Sequence, residues 1–272
     1  MQTSHKLRHS DRLLMTTDSA NSLQATTLTP VAYVRSCFTE RFGIPRQAGL
    51  VKSATASIVF ANSESNMLSL RGIEDFSHLW VIFLLHKQHY KNPKALVSPP
   101  RLGGSKRVGV FATRSPNRPN PVGLSAVRLE SIEQGSQQIL LHIRGADLLD
   151  GTPVLDIKPY VPFVDSIEQA NGAWAEHIET PMPVTWSEPA RNCLRRLHGE
   201  STDKAGEPGS TLQQLIEETI ALDPRPAHER IKDGEAGQSW GMKISDVNVR
   251  WQVDNGIALI IKLEKLPVNI YE

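Results

Sequence analysis

A proline-rich segment at 111–125 constrains the backbone of this chain more than any other stretch of its sequence. Three prolines fall within six residues: Pro116, Pro119 and Pro121. Each ring fixes its own φ angle and biases the preceding residue toward extended backbone, so the segment can be neither helix nor central strand. It is predicted to be a stiff loop carrying four polar side chains: Arg114, Asn117, Arg118 and Asn120. Because a rigid loop lowers the entropy cost of binding, these guanidinium and amide groups favour a site for a polar, anionic ligand.

The charges of the chain are unevenly distributed. Its formal net charge at pH 7 is +1, which neither favours nor excludes a polyanionic partner. From 76 to 129, however, the sequence has nine Lys or Arg residues and no Asp or Glu. A local positive field of this kind steers nucleic acids and nucleotide-like ligands toward a protein. The alternative is a chance cluster of cations on a solvated face.

The size and composition of the chain indicate an ordinary globular protein. Its 272 residues, 39% of them hydrophobic, are enough for one large or two modest domains. Cys37 and Cys193 have neither metal-ligand nor disulfide spacing, so we expect no metal and a reducing cytoplasmic location. No apolar run reaches the ~20 residues that a membrane helix needs. Residues 1–28 are polar and rich in Ser and Thr, which predicts a disordered leader.

Short apolar runs between turn signals predict a first domain, at 29–169, that is almost entirely strand. The predicted strands are 31–35, 54–60, 77–86, 108–112, 124–132, 138–144 and 154–158, with a long loop at 87–107. An all-strand sheet must protect its edges, and closure into a β-barrel is the economical solution.

A second, smaller α+β domain is predicted at 185–272, after a Pro-rich linker at 170–184. Helical patterns at 188–198 and 210–222 are followed by strands at 247–253 and 258–263, which an Asp-Asn-Gly turn joins. The predicted fold class is therefore mainly β, with a closed barrel followed by a small α+β domain.

Four short motifs of the first domain carry groups suited to binding or catalysis. They are Pro45-Arg46-Gln47, His86-Lys87, the proline-rich segment, and Asp150-Gly151-Thr152-Pro153. Taken singly, most have a structural explanation: a turn, a histidine at a core boundary, or an Asp that caps its own backbone. The sequence has no Gly-x-Gly-x-x-Gly, P-loop, His-Glu-x-x-His or zinc-type cysteine pair, which argues against a Rossmann nucleotide site and a zinc enzyme.

Four strings of residues resemble the TsaA/TrmO family. They are Phe-Gly-Ile-Pro-Arg-Gln-Ala-Gly-Leu (42–50), Phe-Ser-His-Leu-Trp-Val (76–81), the stretch 109–125, and 147–160. The resemblance runs from about 30 to 165 and continues into 223–226 and 246–251. It implies an S-adenosylmethionine-dependent tRNA N6-methyltransferase of β-barrel type that works as a homodimer, with the cofactor near the subunit interface. The implied substrate is the N6-threonylcarbamoyl-adenosine beside the anticodon of threonine tRNA.

The same resemblance implies cofactor contacts at matching positions: Pro45, Arg46, Gln47, His86, Lys87, Arg114, Leu124, Asp150, Gly151, Thr152 and Pro153. Arg114 or Arg46 suits the cofactor carboxylate, Asp150 its ribose or ammonium group, and Leu124 its adenine. The N6 proton must leave the acceptor, and the candidates for a base are Asp150, His86 and Asp165.

Other residues are candidates for binding the tRNA. The threonyl carboxylate of the substrate needs a cation, for which Arg118, Lys87 and Arg107 are the alternatives. Asn120 lies in the same loop, and Tyr90 could stack on an unpaired base. Arg225, in Asp-Pro-Arg-Pro, either contacts the tRNA or belongs to a motif that only ends the preceding helix.

Two other functions also fit parts of this pattern. A non-enzymatic RNA-binding barrel would use the basic span but would have no need of a cofactor pocket. A small-molecule hydrolase would use His86 and Asp150 and would act without RNA.

Overall fold

The structure is a computed structural model that describes residues 26–87, 93–102, 106–176, 180–198, 212–230 and 238–267. Nearly all of the leader predicted at 1–28 lies outside the described residues, and so does Tyr90.

The first part of the chain is built from strands whose side chains alternate between buried and exposed positions. They are β1 (Ala32–Ser36), β2 (Thr55–Ala61), β3 (His78–Leu84), β4 (Leu96–Val97), β5 (Val108–Gly109), β6 (Val122–Gln134), β7 (Gln138–Arg144) and β8 (Pro153–Pro159). Six of them pair antiparallel in the order β1-β2-β7-β6-β3-β8, and β8 pairs with β1, so the sheet closes on itself. The inward positions form one apolar core, in which Ile58, Leu79 and Leu141 are completely buried. The prediction of a mainly β fold is confirmed.

Short helical turns connect these strands. A helix, α1 (Glu64–Ser69), follows β2, and Ser63 caps it by accepting a hydrogen bond from the Asn66 amide. A single turn, α2 (Pro162–Asp165), begins on a proline after β8. The strand predicted at 108–112 is wrong beyond its second residue, because Val110–Ala112 form a 3₁₀ turn. Both the amide and the hydroxyl of Thr113 donate to the Val110 carbonyl, which holds the chain in that turn.

The second part is a four-stranded sheet packed with helices. Its strands are β9 (Val184–Trp186), β10 (Ser239–Ile244), β11 (Val247–Asp254) and β12 (Ile257–Lys265), and its helices are α3 (Glu188–His198), α4 (Leu212–Ala221) and α5 (Ala227–Arg230). The sheet order is β10-β11-β12-β9, with β9 parallel to β12. Both predicted helices and the β11–β12 hairpin are confirmed. Strand β9 begins at the end of the predicted linker, and β10 was not predicted.

The segment between β1 and β2 belongs to the core of the second part. Phe38 and Val51 pack in the same buried cluster as Trp251. Phe42 stacks on Trp251, with ring centroids 6.0 Å apart. Since this segment also carries Pro45-Arg46-Gln47, the second sheet helps to position one of the candidate site motifs.

Candidate functional site

A cavity of about 480 Å³ opens where β3 ends, β6 begins and the chain leaves β7. Leu84 on β3 pairs with Val122 on β6, which brings the end of one strand beside the start of the other. Nine of the predicted site residues line this cavity: Pro45, Arg46, Gln47, His86, Lys87, Arg114, Arg118, Leu124 and Thr152. Three of the predicted motifs therefore meet in one place, together with Thr152 from the fourth.

The proline-rich segment is braced by its own short polar side chains. The Ser115 amide donates to Thr113 Oγ1, and the Asn117 amide donates to Ser115 Oγ. Asn117 is buried, and its Oδ1 accepts from the Lys94 amide. Arg118 Nη1 donates to the Thr113 carbonyl at 2.8 Å. The loop is therefore held by a polar network as well as by its prolines.

A hydrogen bond joins the proline-rich segment to the loop after β1. Arg114 Nη1 donates to Gln47 Oε1, and Gln47 Nε2 in turn donates to the Arg46 carbonyl. This contact fixes one edge of a guanidinium at the cavity wall, and Arg46 and Arg114 are both exposed there. Such an edge suits bidentate binding of a carboxylate or phosphate.

His86 lies against the turn that begins with Asp150. His86 Nδ1 and Thr152 Oγ1 are 3.5 Å apart. Gly151 has a φ of +74°, and a Cβ there would lie in ordinary contact, 4.0 Å from His86 Nε2. A side chain at 151 would therefore be strained by its backbone conformation.

Asp150 and Asp165, two of the predicted bases, have structural partners. The Asp150 carboxylate accepts from the Ser36 amide at 2.9 Å, and Asp150 is not among the residues that line the cavity. Asp165 accepts from Trp80 Nε1 at 3.0 Å and from the Val161 amide at 2.7 Å, which closes the α2 turn. Each of these carboxylates thus has a structural hydrogen bond and lies outside the cavity lining, and a role as the base stays a prediction for both.

Four more predicted residues also lie outside the cavity lining. Gly151 and Pro153 flank Thr152 without lining the cavity. Arg107 and Asn120 are exposed, and neither lines it.

Asp147 is the acidic residue that the sequence analysis passed over. Of the described residues that line the cavity, it is the one carboxylic acid. Ser125 Oγ donates to Asp147 Oδ1 at 2.6 Å. Burial raises the pKa of Asp147 above its ordinary 3.8, and the Ser125 hydrogen bond, backbone amides and the charge of Arg114 oppose that rise. The sequence signal was that Asp147 begins the family string 147–160 and stands between two apolar residues, Ala146 and Leu148.

A second cavity, of about 470 Å³, adjoins the first on the other side of the loop after β1. The two share Arg41, Ile44, Pro45 and Arg46 in their walls. The second cavity is also lined by residues of Asp-Pro-Arg-Pro, including Arg225.

The side chain of Arg225 is 3% exposed. Asp223 binds it through two hydrogen bonds, of 2.7 Å to Nε and 2.9 Å to Nη2, and its guanidinium stacks on Trp240 at 4.9 Å. This placement favours the structural alternative for the motif, and a tRNA contact at Arg225 stays a prediction.

The first cavity combines apolar walls with charged groups. Its aromatic and aliphatic surface comes from Trp80, Phe83, Leu84, Leu85, Leu124 and Leu149, and its cations are Arg41, Arg46, Lys87, Arg114 and Arg118. A ligand with a flat apolar part and an anionic end fits such a lining. Within the described ranges, no group of three or more His, Cys, Asp or Glu could hold a metal ion. No helix there is long and apolar enough to cross a membrane.

Two family models match the chain. Residues 33–166 match the tRNA-methyltransferase O N-terminal domain, and residues 179–266 match the TrmO C-terminal domain. The chain is 42% identical over 224 residues to a Pseudomonas aeruginosa protein named "Putative S-adenosylmethionine-dependent methyltransferase RcsF", covering 82% of this chain and 91% of that protein. It is 38% identical over 235 residues to the Escherichia coli tRNA (adenine(37)-N6)-methyltransferase, covering 86% and 96%. A crystal structure of TrmO from Pseudomonas aeruginosa superimposes with a TM-score of 0.69 at 34% identity, covering 89% of this chain and 99% of that one.

Proposed function

The chain belongs to the TrmO family of S-adenosylmethionine-dependent tRNA (adenine(37)-N6)-methyltransferases, and we propose that it methylates the N6-threonylcarbamoyl form of that adenine in threonine tRNA. The observation that carries the proposal is the first cavity, where three motifs of the family resemblance and Thr152 of the fourth form one amphipathic wall.

The residues of this cavity fit S-adenosylmethionine. The cofactor has an adenine, two ribose hydroxyls, a carboxylate, an ammonium group and a sulfonium. Leu124 and Phe83 offer apolar surface for the adenine, Arg114 or Arg46 a guanidinium for the carboxylate, and Thr152 a hydroxyl beside His86. The volume of about 480 Å³ lies in the range of small-molecule sites. When bound, the cofactor supplies a methyl group activated by the positive charge on sulfur.

The contribution of the protein is to orient the two reactants. Arg114, held by Gln47, fixes one end of the cofactor, and the braced proline-rich segment keeps that arginine in place. Holding donor and acceptor collinear and close can supply about 7–11 kcal/mol of the barrier.

The threonyl carboxylate of the substrate needs a cation at the same cavity. Lys87 and Arg118 line it, whereas Arg107 does not, so the geometry favours the first two of the three candidates. Arg118 uses Nη1 to brace the loop, and no hydrogen bond within the described residues uses its Nη2. We therefore assign the carboxylate to Arg118, with Lys87 beside it. Asn120 and Tyr90 remain proposals for contacts with neighbouring nucleotides.

The two adjoining cavities form the face that we assign to the anticodon loop. Their shared wall carries Arg41 and Arg46, both exposed. Such arginines form ion pairs with the phosphates of an RNA loop, and the binding would weaken as the salt concentration rises. Because the proposed substrate is a tRNA, we also propose a cytoplasmic location.

We further propose that the six-stranded ring is a β-barrel methyltransferase domain that works as a homodimer, with the cofactor near the interface. Exposed apolar side chains support this: Phe111 is 77% exposed, and Leu124, which lines the first cavity, is 57% exposed. The two-domain division at 29–169 and 185–272 stays a proposal, which the separate family matches at 33–166 and 179–266 support.

Mass spectrometry of tRNA nucleosides tests the proposed substrate. The protein is incubated with S-adenosylmethionine and threonine tRNA that carries the threonylcarbamoyl group, and with an unmodified transcript of the same tRNA. We expect one added methyl group on the threonylcarbamoyl base and none on plain adenosine. Equal methylation of both RNAs would contradict the substrate, and cofactor-independent RNA binding without methylation would favour the RNA-binding alternative.

A further inference from the structure

Of the predicted bases, His86 lines the first cavity, and the carboxylates there offer a further candidate. Asp150 accepts from the Ser36 amide, Asp165 accepts from Trp80 Nε1 and the Val161 amide, and neither lines the cavity. Asp147 does line the cavity, where it accepts from Ser125 Oγ and from backbone amides. Of the carboxylates of the described residues, it is therefore the one at the wall where the substrate must enter.

The position of Asp147 is set by both sides of the ring. Ser125 lies on β6, opposite Val81 of β3, and is buried. Asp147 follows β7 after Gly145, whose carbonyl accepts from the Gly49 amide and so ties this turn to the 45–50 loop. The neighbours Ala146 and Leu148 are buried. A carboxylate on so firmly held a turn has little freedom to move away from the cavity.

We propose that Asp147 is the general base that takes the N6 proton of the substrate adenine, an assignment that rests on the proposed function. The N6–H bond breaks and its proton goes to a carboxylate oxygen of Asp147. N6 forms its bond to the methyl carbon, and the electron pair of the broken carbon–sulfur bond stays on sulfur. A cation and a carboxylate thus become a neutral thioether and a neutral acid, so the step removes one positive and one negative charge together.

The charges around Asp147 suit this role. Arg114 on the proline-rich segment favours the ionised carboxylate, as does the hydrogen bond from Ser125, while burial favours the proton. The remaining ionisable groups that face the cavity are His86 and Lys87 after β3, Arg41 and Arg46 on the loop after β1, and Arg118. Because burial strengthens the proton affinity of an otherwise weak base, Asp147 accepts a proton more readily than an exposed aspartate.

The first test compares Asp147→Asn with Asp156→Asn, a matched change on β8, where Asp156 pairs with Lys158 away from the cavity. For Asp147→Asn we expect kcat to fall about 100-fold or more. The affinity for S-adenosylmethionine, measured by calorimetry, should stay within about threefold of that of wild type. For Asp156→Asn, both should match wild type.

Two outcomes of this test overturn the proposal. A loss of cofactor affinity that parallels the loss of kcat would make Asp147 a ligand for the cofactor ammonium. A kcat near that of wild type would remove it from the chemistry. If wild type itself does not methylate threonylcarbamoyl tRNA, the proposed substrate fails, and the same comparison is made on the adenosine tRNA that it does methylate.

Ser125→Ala gives a second readout that keeps the carboxyl group. Because the Ser125 hydrogen bond lowers the pKa of Asp147, its removal raises that pKa. The acid limb of the kcat–pH profile should therefore move to higher pH. An unmoved limb would overturn the assignment.

A third readout needs no activity. Above pH 3.8, the ordinary pKa of this group, the unfolded chain releases the Asp147 proton before the folded protein does. The folded state therefore loses stability as the pH rises through this window, and Asp147→Asn removes that loss. In urea titrations, we expect the unfolding free energy of the variant to rise relative to that of wild type as the pH increases above 3.8. Parallel curves would show a carboxyl group with an ordinary proton affinity and would overturn the proposal.

Discussion

Gly123 has to be a glycine, because of the ring packed against it. It lies on β6 directly opposite Phe83 of β3, and a Cβ on it would fall 2.3 Å from Phe83 Cζ. Both residues line the first cavity. We expect Gly123→Ala to displace the Phe83 ring, to lower the unfolding free energy by about 1–3 kcal/mol, and to weaken S-adenosylmethionine binding. Urea unfolding and calorimetry measure the two effects.

Gly109→Ala is the control for that prediction. Gly109 has a φ of −58°, and no heavy atom lies within 4 Å of a Cβ built on it. This substitution should leave both quantities almost unchanged. A Gly123→Ala variant as stable as Gly109→Ala would contradict the packing explanation.

Single residues also show how far the sequence could predict the site. The motif positions predicted Arg114, Gln47 and Thr152 as site residues, and these three line one cavity although they are far apart in the chain. Asp150, one of the three candidate bases, does not line the cavity, and the sequence could not show this, because a turn-forming Asp gives the same local pattern whether its carboxylate is free or bonded to a distant amide. Asp147 was missed, because its role depends on Ser125, a partner that only the β6–β7 pairing brings near.

At the scale of elements, the loop after β1 links the two halves of the protein. Phe42 stacks on Trp251, and the Lys243 amide donates to Glu40 Oε1 at 2.7 Å. Ser53, at the end of the loop, is bound by Glu218 of α4 through its amide and hydroxyl. The second sheet therefore holds the loop that carries Arg46 and Gln47.

Phe42→Ala tests this coupling. Removing the ring should lower the unfolding free energy by about 1–3 kcal/mol, since Phe42 is only partly buried. The substitution should also weaken S-adenosylmethionine binding. The loop that carries residues 45–47 would no longer be held by the contact of Phe42 with the second sheet. Calorimetry on the folded variant measures the affinity.

Leu68→Ala is the matched apolar truncation, on α1, where Leu68 is 55% exposed. It should change neither the unfolding free energy nor the cofactor affinity appreciably. Unchanged cofactor affinity in Phe42→Ala, despite lost stability, would show that the second sheet supports the fold alone.

Strand β10 was not predicted from the sequence, and there is a physical reason for this. Strand β10 buries only Met242 and Ile244 and is joined to β11 by a turn at Ser245, which has a φ of +51° without being a glycine. Its large apolar residues alternate with small or polar ones, but no Asn-Gly signal was present to mark the turn to β11. Strands β6 and β7 are longer and are joined by a turn with a glycine, and their hairpin was predicted with β7 at its full bounds and β6 two residues short at each end.

At the scale of the whole molecule, closure of the sheet was predictable, whereas the placement of the second sheet was not. Exposed strand edges are a general liability, so a chain with many strands and few helices favours closure. Phe38 and Val51 join the buried cluster of Trp251 through contacts between residues that are about 200 positions apart in the sequence. No local sequence pattern encodes such contacts. This packing places the two cavities side by side and makes a continuous RNA-binding face possible.

The final prediction concerns that face. Arg41 is exposed and lines both cavities, so one tRNA that spans them would neutralise it with a phosphate. Removing one such contact should reduce the slope of log K against log salt by about 1. We expect Arg41→Ala to show this smaller slope in tRNA-binding titrations between about 50 and 200 mM salt. Its affinity for free S-adenosylmethionine should change less than its affinity for tRNA.

Arg195→Ala supplies the comparison, because Arg195 is 68% exposed on α3, pairs with Glu188 and lines neither the first nor the second cavity. It removes the same charge from the molecule, so any effect of net charge alone appears equally in both variants. A slope reduced only in Arg41→Ala locates the phosphate contact at the shared wall. Equal slopes in both variants would mean that the tRNA approaches the first cavity from another side, and the second cavity would then have no part in binding it.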